Sequence, residues 1–391
     1  MKKASLLFTC LLFLSVSNLL LAQKSNAPIM GWSSWNNFRV NINEQLIKEQ
    51  ADAMITSGLY DAGYRFINID DGYFGGRDSS GKLLVNQKKF PSGMKSLTSY
   101  IHSKGLKAGI YSDAGKNTCG SIYDKDNYGV GSGIYGHIEQ DCDLFFKQWG
   151  FNFLKVDWCG GEQMKLTEET EYLKIINAVK SIDTNIVFNI CRWQFPGTWA
   201  IKKADSWRIS GDIREKFSSI LKIIDLNAEL YQYTSAGHFN DMDMLQVGRG
   251  MSYDEDKSHF SMWCMMNSPL LAGNDLRNMT KETIEILTNK ELIALNQDTA
   301  FIQAKRILSE NNVELWMKPL ANKNGKTKAF AILNRNEEEK SFTITAQQTG
   351  FNNKSKVRDL WLHKDLGSFA DKLTLTIPKH GVVVLKMEEA E

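Results

Sequence analysis

A short apolar run, a polar cluster and an amphipathic segment recur in this order eight times between residues 28 and 300. The amphipathic segments, such as 44–57, 168–181 and 281–295, carry apolar residues near a spacing of 3.6 and predict helices. Strands that alternate with helices form parallel sheets, so eight units favour a (β/α)8 TIM barrel over an open doubly wound sheet. The predicted strands are 28–32, 64–69, 106–111, 151–156, 186–190, 207–209, 236–239 and 262–266.

The pattern changes after residue 298, where apolar residues alternate with a period of two in six short runs. Such runs, separated by turns, predict a small antiparallel β-sandwich. We therefore expect a (β/α)8 barrel over residues 23–300 and a C-terminal all-β sandwich domain over 301–391. The acids of the second domain are scattered, so we expect it to have a structural or sugar-contacting role without chemistry of its own.

The first 22 residues have the layout of a secretory signal peptide. Lys2 and Lys3 form a basic start, 6–16 is apolar, and 20–22 offers a cleavage site. A transmembrane anchor is the alternative, but serine, threonine and asparagine side chains interrupt the apolar run. A lipid anchor at Cys10 fits less well, because bulky residues precede it. We expect an extracytoplasmic protein, periplasmic or secreted, with no membrane partner after signal removal.

The overall charge does not indicate a polyanionic partner. Lysine and arginine total 47 against 45 aspartates and glutamates, so no net field attracts nucleic acid or an anionic membrane. No G-x-G-x-x-G follows the first predicted strand, and no G-x-x-x-x-G-K-[ST] occurs. The sequence therefore lacks the fingerprints of nucleotide binding.

Charged side chains follow most of the predicted barrel strands. Active sites of barrels lie at these C-terminal strand ends. Because clustered like charges destabilise a fold, such a cluster indicates a functional site rather than a structural one. Three chemistries use such a cluster: metal-assisted hydrolysis, glycoside hydrolysis by two carboxylates, and nucleotide-sugar transfer at an Asp-x-Asp. The residues are Asp70, Asp71, Asp113, Asp157, Arg192, Asp212, Asp241 and Asp243.

Histidines and aromatic residues help to choose among these chemistries. The chain has six histidines but no H-x-H or H-E-x-x-H, which disfavours zinc and leaves a carboxylate-bound magnesium open. Aromatic rings beside carboxylates suit a pyranose, which has an apolar C–H face and a rim of hydroxyls. Together the rings favour a sugar substrate. They are Trp32, Trp35, Tyr73, Phe74, Tyr111, Trp158, Trp193 and Trp207.

Eight collinear motifs lie between residues 28 and 298. They occupy 30–36 (Met-Gly-Trp-Ser-Ser-Trp-Asn), 68–71 (Asn-Ile-Asp-Asp), 109–115, 153–159 (Phe-Leu-Lys-Val-Asp-Trp-Cys), 191–193, 207–213 (Trp-Arg-Ile-Ser-Gly-Asp-Ile), 240–245 and 287–298. The set resembles glycoside hydrolase family 27, the α-galactosidases and α-N-acetylgalactosaminidases. The β-rich tail resembles the second domain of that family.

The resemblance implies roles for two carboxylates. Asp157 matches the nucleophile and Asp212 the general acid/base of a retaining mechanism, which needs one ionised and one protonated carboxyl. Lys155 lies two residues before Asp157, so both side chains share one face of the strand. We expect its positive charge to lower the Asp157 pKa and keep that carboxylate ionised.

The resemblance also implies the substrate contacts. Asp70 and Asp71 match the pair that binds the axial 4-hydroxyl and the 6-hydroxyl of galactose. Cys119 and Cys159 match a family disulfide, which leaves Cys142, Cys191 and Cys264 as buried thiols. Neither a metal nor another cofactor is implied. Further sugar contacts are implied for Trp35, Tyr111, Lys155 and Arg208.

Three positions depart from the family pattern. Arg192 stands where the galactosidases usually have Glu and the N-acetylgalactosaminidases a small Ser, at the position that faces the 2-substituent of the sugar. We expect Arg192 to favour a free 2-hydroxyl or to bind an acidic or branched group of the substrate. Gly72 replaces a cysteine, which removes a second disulfide, and Met242 replaces a proline.

The expected function is an exported retaining α-galactosidase that acts on α-galactoside oligosaccharides or polysaccharides. Alternatives are an α-N-acetylgalactosaminidase or β-L-arabinopyranosidase of the same family, or a sugar-binding barrel without catalysis. Asp70 and Asp71 together argue for a 6-hydroxyl and against the arabinoside. The presence of both implied catalytic acids argues against a binding module. The oligomeric state is left open.

Overall fold

A computed structural model describes residues 26–322 and 325–390. The predicted signal peptide, 1–22, lies outside the described residues. The strands of the described residues, in sequence order, are β1 Met30–Ser33, β2 Phe66–Asn68, β3 Phe74–Arg77, β4 Leu83–Val85, β5 Lys107–Asp113, β6 Phe153–Asp157, β7 Val187–Ile190, β8 Ser206–Arg208, β9 Phe239–Asp241, β10 Leu270–Ala272, β11 Lys305–Glu310, β12 Val313–Pro319, β13 Thr327–Asn334, β14 Lys340–Thr345, β15 Ser355–Asp359, β16 Lys364–Phe369, β17 Lys372–Ile377 and β18 Val382–Glu389.

Eight of these strands form a parallel sheet in the order β10-β1-β2-β5-β6-β7-β8-β9. The two edges of the sheet meet just after β9, where Leu245 pairs with Ala272 in a parallel bridge. The Leu245 N–H donates to the Leu271 carbonyl at 2.7 Å and so closes the ring. The predicted (β/α)8 barrel is confirmed, and the short β3–β4 hairpin is an insertion after β2.

The barrel helices cover the outside of this ring. Side-chain caps define several helix starts: Asn43 accepts from the Leu46 N–H, and Ser252 forms a capping box with Glu255. The α-helices are Trp35–Phe38, Glu44–Thr56, Leu59–Ala62, Gly93–Ser103, Cys119–Tyr123, Ile138–Cys142, Cys159–Gln163, Glu168–Ile182, Phe217–Ala228, Tyr253–Met265, Lys281–Leu287, Lys290–Asn296 and Ala346–Thr349. A π-helix, Asp143–Trp149, continues Ile138–Cys142.

The eighth predicted strand, 262–266, is wrong. These residues belong almost entirely to the helix Tyr253–Met265, and the eighth barrel strand is Leu270–Ala272. Residues 258–265 are buried on every side, so their apolar run has no periodicity that separates a helix from a strand. The predicted helix 281–295 is two helices, with Asn289 capping the second.

The C-terminal domain is antiparallel, as predicted. A six-stranded sheet has the order β11-β12-β13-β18-β15-β16, and β14 pairs with β17 as a second, smaller sheet. Ile344 and Ile377 of the small sheet pack with Phe330 and Leu385 of the large one to form the domain core. Strands β11 and β16 are additional to the predicted runs, because their side chains are largely exposed and carry little apolar signal.

The barrel and the C-terminal domain share one apolar core. Trp316, Leu360 and Trp361 of the second domain belong to the same buried cluster as the barrel helices. The Trp361 indole N–H donates to Ser261 Oγ at 2.9 Å, and Arg358 forms a two-pronged ion pair with Glu291. The β domain therefore supports the helices Tyr253–Met265 and Lys290–Asn296 from outside the ring.

Among residues 26–322 and 325–390, the structure contains no helix long and apolar enough to cross a membrane.

Trp361 allows a test of this shared core. Trp361→Ala is expected to lower the free energy of unfolding by about 3–5 kcal/mol, because it leaves a cavity between the domains. Leu362→Ala is the matched control, since that side chain is 67% exposed and should change stability by less than about 0.5 kcal/mol. Denaturant titrations followed by tryptophan fluorescence and circular dichroism measure both. Equal stabilities of the two variants would contradict a shared core.

Candidate active site

The loops after β5 and β6 touch at the C-terminal end of the barrel. A side chain at Gly115 would place its Cβ 2.0 Å from the Gly160 backbone, so only glycine permits this approach. The predicted disulfide Cys119–Cys159 is present and joins the same two loops. Cys159 lies two residues after Asp157, so the disulfide anchors the loop that follows this carboxylate. Cys142, Cys191 and Cys264 are buried thiols.

A cavity of about 370 Å³ opens at this end of the barrel. It brings together seven of the predicted site residues, including both carboxylates to which the motifs assigned catalytic roles. Asp157 lies at its floor and is 5% exposed, whereas the Asp212 side chain is 65% exposed at the mouth. The lining residues are Trp35, Asn36, Arg39, Cys119, Tyr123, Lys155, Asp157, Cys159, Trp193, Arg208, Asp212, Asp243 and Met244.

Lys155 is the cation at the floor of the cavity. Its Nζ lies 2.8 Å from Asp70 Oδ2 and 4.0 Å from Asp157 Oδ2. Burial alone would lower the Lys155 pKa, but Asp70 and Asp157 raise it well above its usual range. The lysine therefore stays charged and lies between Asp70, which follows β2, and Asp157, which ends β6. The predicted common face of Lys155 and Asp157 agrees with these distances.

Arg208 forms ion pairs with the acids that follow β8 and β9, as Lys155 does with Asp70 and Asp157. Its Nη2 lies 2.8 Å from Asp243 Oδ2 and 3.2 Å from Asp212 Oδ1. Burial opposes the Arg208 charge, but Asp243 and Asp212 raise its pKa well above the usual range. Asp243 also accepts the Ile213 N–H at 2.9 Å and so holds the backbone next to Asp212. The position of Asp212 thus depends on Arg208 and Asp243 together.

The pKa values of Asp157 and Asp212 are shifted in opposite directions. Burial raises the pKa of Asp157 to about 6, although Lys155 lowers it. The protein around Asp212 partly desolvates it and acts to raise its pKa, but the charges of Arg208 and Lys155 have the larger, opposite effect, so the pKa of Asp212 lies below its usual value. The predicted lowering of the Asp157 pKa by Lys155 is therefore outweighed. The ammonium is closer to Asp70 than to Asp157, so it offsets only part of the desolvation.

Asp70, Asp71 and Tyr111 are buried and are not among the residues that line the cavity. Asp71 is fully buried and accepts the Gly72 and Gly120 N–H groups, both at 2.7 Å, and burial raises its pKa to about 7. The Tyr111 hydroxyl accepts the Cys119 N–H at 3.3 Å. Asp70 borders a small void of about 20 Å³ together with Lys155 and Arg208.

Arg192 lies away from the cavity wall on which it was expected. Its Nε donates to Glu168 Oε2 at 2.8 Å, and its guanidinium lies 5.8 Å from the centre of the Trp193 ring. Glu168 draws the guanidinium toward the helix Glu168–Ile182, and Trp193 lines the cavity instead. Trp193 has a positive φ of 61°, a turn that sequence spacing alone does not signal. Contact of Arg192 with substrate stays a prediction.

Two residues that line the cavity, Arg39 and Tyr123, lie outside every motif recognised in the sequence. Arg39 follows the motif at 30–36 by three residues, and its guanidinium lies 4.8 Å from the centre of the Trp35 ring. Tyr123 ends the helix Cys119–Tyr123. The short distance of Arg39 from the motif is a signal for its place at the cavity, whereas the direction of Tyr123 depends on the loop conformation.

Family models match almost the whole described chain. The model of alpha galactosidase A matches residues 27–298, and that of the alpha galactosidase C-terminal beta sandwich domain matches residues 310–387. The chain belongs to glycoside hydrolase family 27, the α-galactosidase family.

Individual members of family 27 cover nearly all of the chain. Alpha-galactosidase A of Cellvibrio japonicus is 40% identical over 390 residues, 93% of each chain. The crystal structure of alpha-galactosidase I from Mortierella vinacea superposes with a TM-score of 0.87 at 35% identity and covers 94% of this chain and 98% of its own. An α-galactosidase from Saccharomyces cerevisiae, solved with raffinose, gives 0.85 at 26% identity, with 93% and 98% covered. The chain is a glycoside hydrolase.

One group in this family 27 barrel has the residue types of a metal site. Asp113, Cys119 and Cys159 place donor atoms within 4.8 Å of one another. The two sulfur atoms are bonded to each other, so they do not provide thiolate ligands. Asp113 instead accepts the Gly115 and Gly160 N–H groups and helps to hold the two loops together.

The buried charge of Asp157 predicts a gain of stability when it is removed. The folded pKa of about 6 exceeds the ordinary value of 3.8, so the folded state loses stability as the pH rises from about 4 through 6. Asp157→Asn is expected to raise the unfolding free energy at pH 7 by up to about 3 kcal/mol, with no gain near pH 4.

Asp212→Asn is the matched control, because its pKa is lowered and its charge is stabilising. This variant should show no gain at pH 7. Denaturant titrations at pH 4 and pH 7 measure both variants. A loss of stability in Asp157→Asn at pH 7 would contradict the penalty inferred for the buried carboxylate.

Proposed function

We propose that the protein is a retaining α-galactosidase in which Asp157 is the nucleophile and Asp212 the general acid/base. The observation that supports this most directly is that one cavity contains both carboxyl groups, one at its floor and one exposed at its mouth. A retaining glycosidase needs a carboxylate at each side of the scissile bond. Lys155 and Arg208 bring one positive charge to each of them.

In the first step, a carboxylate oxygen of Asp157 attacks the anomeric carbon from the cavity floor. The bond between that carbon and the leaving-group oxygen breaks, and the oxygen takes its proton from Asp212. Asp157 is then esterified by the sugar and Asp212 is ionised. The charge of Arg208 stabilises the Asp212 carboxylate that forms.

In the second step, Asp212 accepts a proton from a water molecule whose oxygen attacks the anomeric carbon. The bond from this carbon to Asp157 breaks, and its electron pair returns to the carboxylate beside Lys155. Two inversions at one carbon leave the product with the configuration of the substrate. The protein starts the next cycle with Asp212 protonated and Asp157 ionised.

We expect substrate binding to favour the protonation pattern that the reaction needs, with Asp212 protonated and Asp157 ionised. Covering the exposed Asp212 side chain removes water and raises its pKa, while positive charge that develops at the anomeric carbon favours ionised Asp157. Asp212 raises the pKa of Asp157, so the two carboxyls titrate together, and we expect them to hold one proton below a pH of about 6. The sugar moves this proton from the floor of the cavity to its mouth.

Galactose is the sugar that we propose for the cavity floor. Asp70 is paired with Lys155, which lines the cavity, and Asp70 and Asp71 resemble the family pair for the axial 4-hydroxyl and the 6-hydroxyl. Carboxylate acceptors discriminate strongly between hydroxyl configurations. The names of the relatives, including the one solved with raffinose, support an α-galactoside as substrate. The proposed mechanism needs no metal ion.

Export through the predicted signal peptide is also part of the proposal. A disulfide beside the catalytic cavity suits an oxidising compartment, and 1–22 has the three regions of a signal. Mass spectrometry of the protein from its native host should find an N-terminus at Gln23. An uncleaved Met1 on the cell-associated protein would contradict export.

Hydrolysis of p-nitrophenyl α-D-galactopyranoside tests the proposed activity. We expect rapid, EDTA-insensitive release from this substrate and far slower release from its α-N-acetylgalactosaminide and β-L-arabinopyranoside counterparts. Asp157→Asn should lower kcat at least about 1,000-fold, because the nucleophile is lost. Preference for a counterpart would move the specificity to the 2- or 6-position, and no release from any of the three would favour a sugar-binding barrel.

The coupled pair predicts an acidic optimum. Above a pH of about 6, the two carboxyls of the free enzyme lose the single proton that catalysis needs, so kcat/KM should peak below pH 6 and fall as the pH rises through this value. The decline of kcat should lie at higher pH, because bound sugar raises the Asp212 pKa. Enzyme preincubated at each pH and assayed at pH 5 controls for unfolding. A kcat/KM that stays level from pH 5 to 8 would contradict this account.

A further inference from the structure

A rim of side chains from two loops borders the mouth of the catalytic cavity. Arg39 donates from Nε and Nη2 to the Asp124 carboxylate at 2.5 and 2.8 Å, and its guanidinium also lies over the Trp35 ring. This two-pronged ion pair joins the loop after β1 to the loop after β5. Tyr123 precedes Asp124, lines the cavity and is 67% exposed.

The rim lies on the side of the cavity where the leaving group must sit. The acid/base has to reach the leaving-group oxygen, so the leaving group lies next to Asp212 at the mouth. Arg39 shares the cavity wall with Asp212 and is close enough for the two charges to interact. Asp124 is bound to Arg39, which places Tyr123 at the same mouth rather than at the floor around Asp157.

Tyr123 is also held firmly despite its exposure. Its helix begins at Cys119, which is bonded to Cys159, and the Asp124 N–H donates to the Gly120 carbonyl at 2.9 Å. The Gly120 N–H in turn donates to the buried Asp71. An exposed aromatic ring on a backbone fixed at several points offers a flat apolar surface with little loss of conformational entropy on binding.

We propose that Tyr123, positioned by the Arg39–Asp124 ion pair, binds the second sugar of the substrate, the pyranose that carries the leaving oxygen. This rests on the proposed function and deepens it. The substrate class is then α-galactosyl oligosaccharides, in which galactose is joined to another sugar ring, in preference to galactosides of simple alcohols. The ring face of Tyr123 covers the C–H face of that second sugar.

Two substrates that differ only in the leaving group test this proposal. Melibiose carries a glucose after the scissile bond, whereas methyl α-D-galactopyranoside has only a methyl group there. The wild-type protein should show a higher kcat/KM for melibiose. Tyr123→Ala should lower the ratio of the two kcat/KM values about tenfold, mainly through a higher KM for melibiose.

Two further variants make the result specific. Tyr123→Phe keeps the ring and should hold the ratio within about twofold of wild type. Tyr128→Ala is the matched control, since this tyrosine belongs to the same loop, is 50% exposed and is not on the cavity wall; it should leave both kcat/KM values unchanged.

The outcomes separate this proposal from the function on which it rests. If Tyr123→Ala leaves the hydrolysis of melibiose and of methyl α-D-galactopyranoside unchanged, or lowers both equally, the second-sugar site is overturned. The galactosidase assignment would remain intact in either case. A ratio that falls as far in Tyr123→Phe as in Tyr123→Ala would overturn binding through the ring face. Failure of the wild-type protein to cleave either substrate would overturn the proposed function, and the second-sugar site with it.

Discussion

Two buried cations, Lys155 and Arg208, hold together the acid-rich end of the barrel. Lys155 joins Asp70 to Asp157, and Arg208 joins Asp243 to Asp212. Without these cations, several carboxylates at neighbouring strand ends would repel one another across a poorly solvated cavity. Because each cation contacts acids from two strands, it also fixes the relative position of the strands. The geometry of the site and the stability of this end of the barrel therefore depend on the same ion pairs.

The charge of Lys155 offsets only part of the cost of burying the Asp157 carboxylate, and the part that remains affects the proposed reaction. Asp157 is buried, and the Lys155 ammonium lies nearer to Asp70 than to Asp157. The Asp157 carboxyl group is therefore costly to ionise. Asp212 is exposed and lies beside Arg208, so its carboxylate is favoured. Below a pH of about 6, this favours protonated Asp157 and ionised Asp212, the reverse of the pattern that the proposed retaining mechanism needs. We propose that a bound sugar reverses this pattern: the sugar covers Asp212, and the positive charge that develops at the anomeric carbon in the transition state favours ionised Asp157.

Sequence patterns predicted the barrel, the acids at its strand ends and the common face of Lys155 and Asp157, because these follow from strand periodicity. They misplaced the eighth strand, since residues around Met265 are buried on every side and lack a distinguishing period. They also did not predict the pairing of Arg192 with Glu168 or the net pKa of Asp157. Both depend on distances between elements and on depth of burial, which a linear sequence does not specify.

Labelling of the nucleophile tests the central claim most directly. A doubly fluorinated α-galactosyl fluoride that forms the covalent intermediate quickly and releases it slowly should inactivate the protein. Proteolysis and mass spectrometry are then expected to place one galactosyl group on the peptide that contains Asp157, and Asp157→Asn should remain unlabelled. A label on Asp212, or turnover of the fluoride without any covalent intermediate, would contradict the assignment of Asp157 as the residue that attacks the sugar.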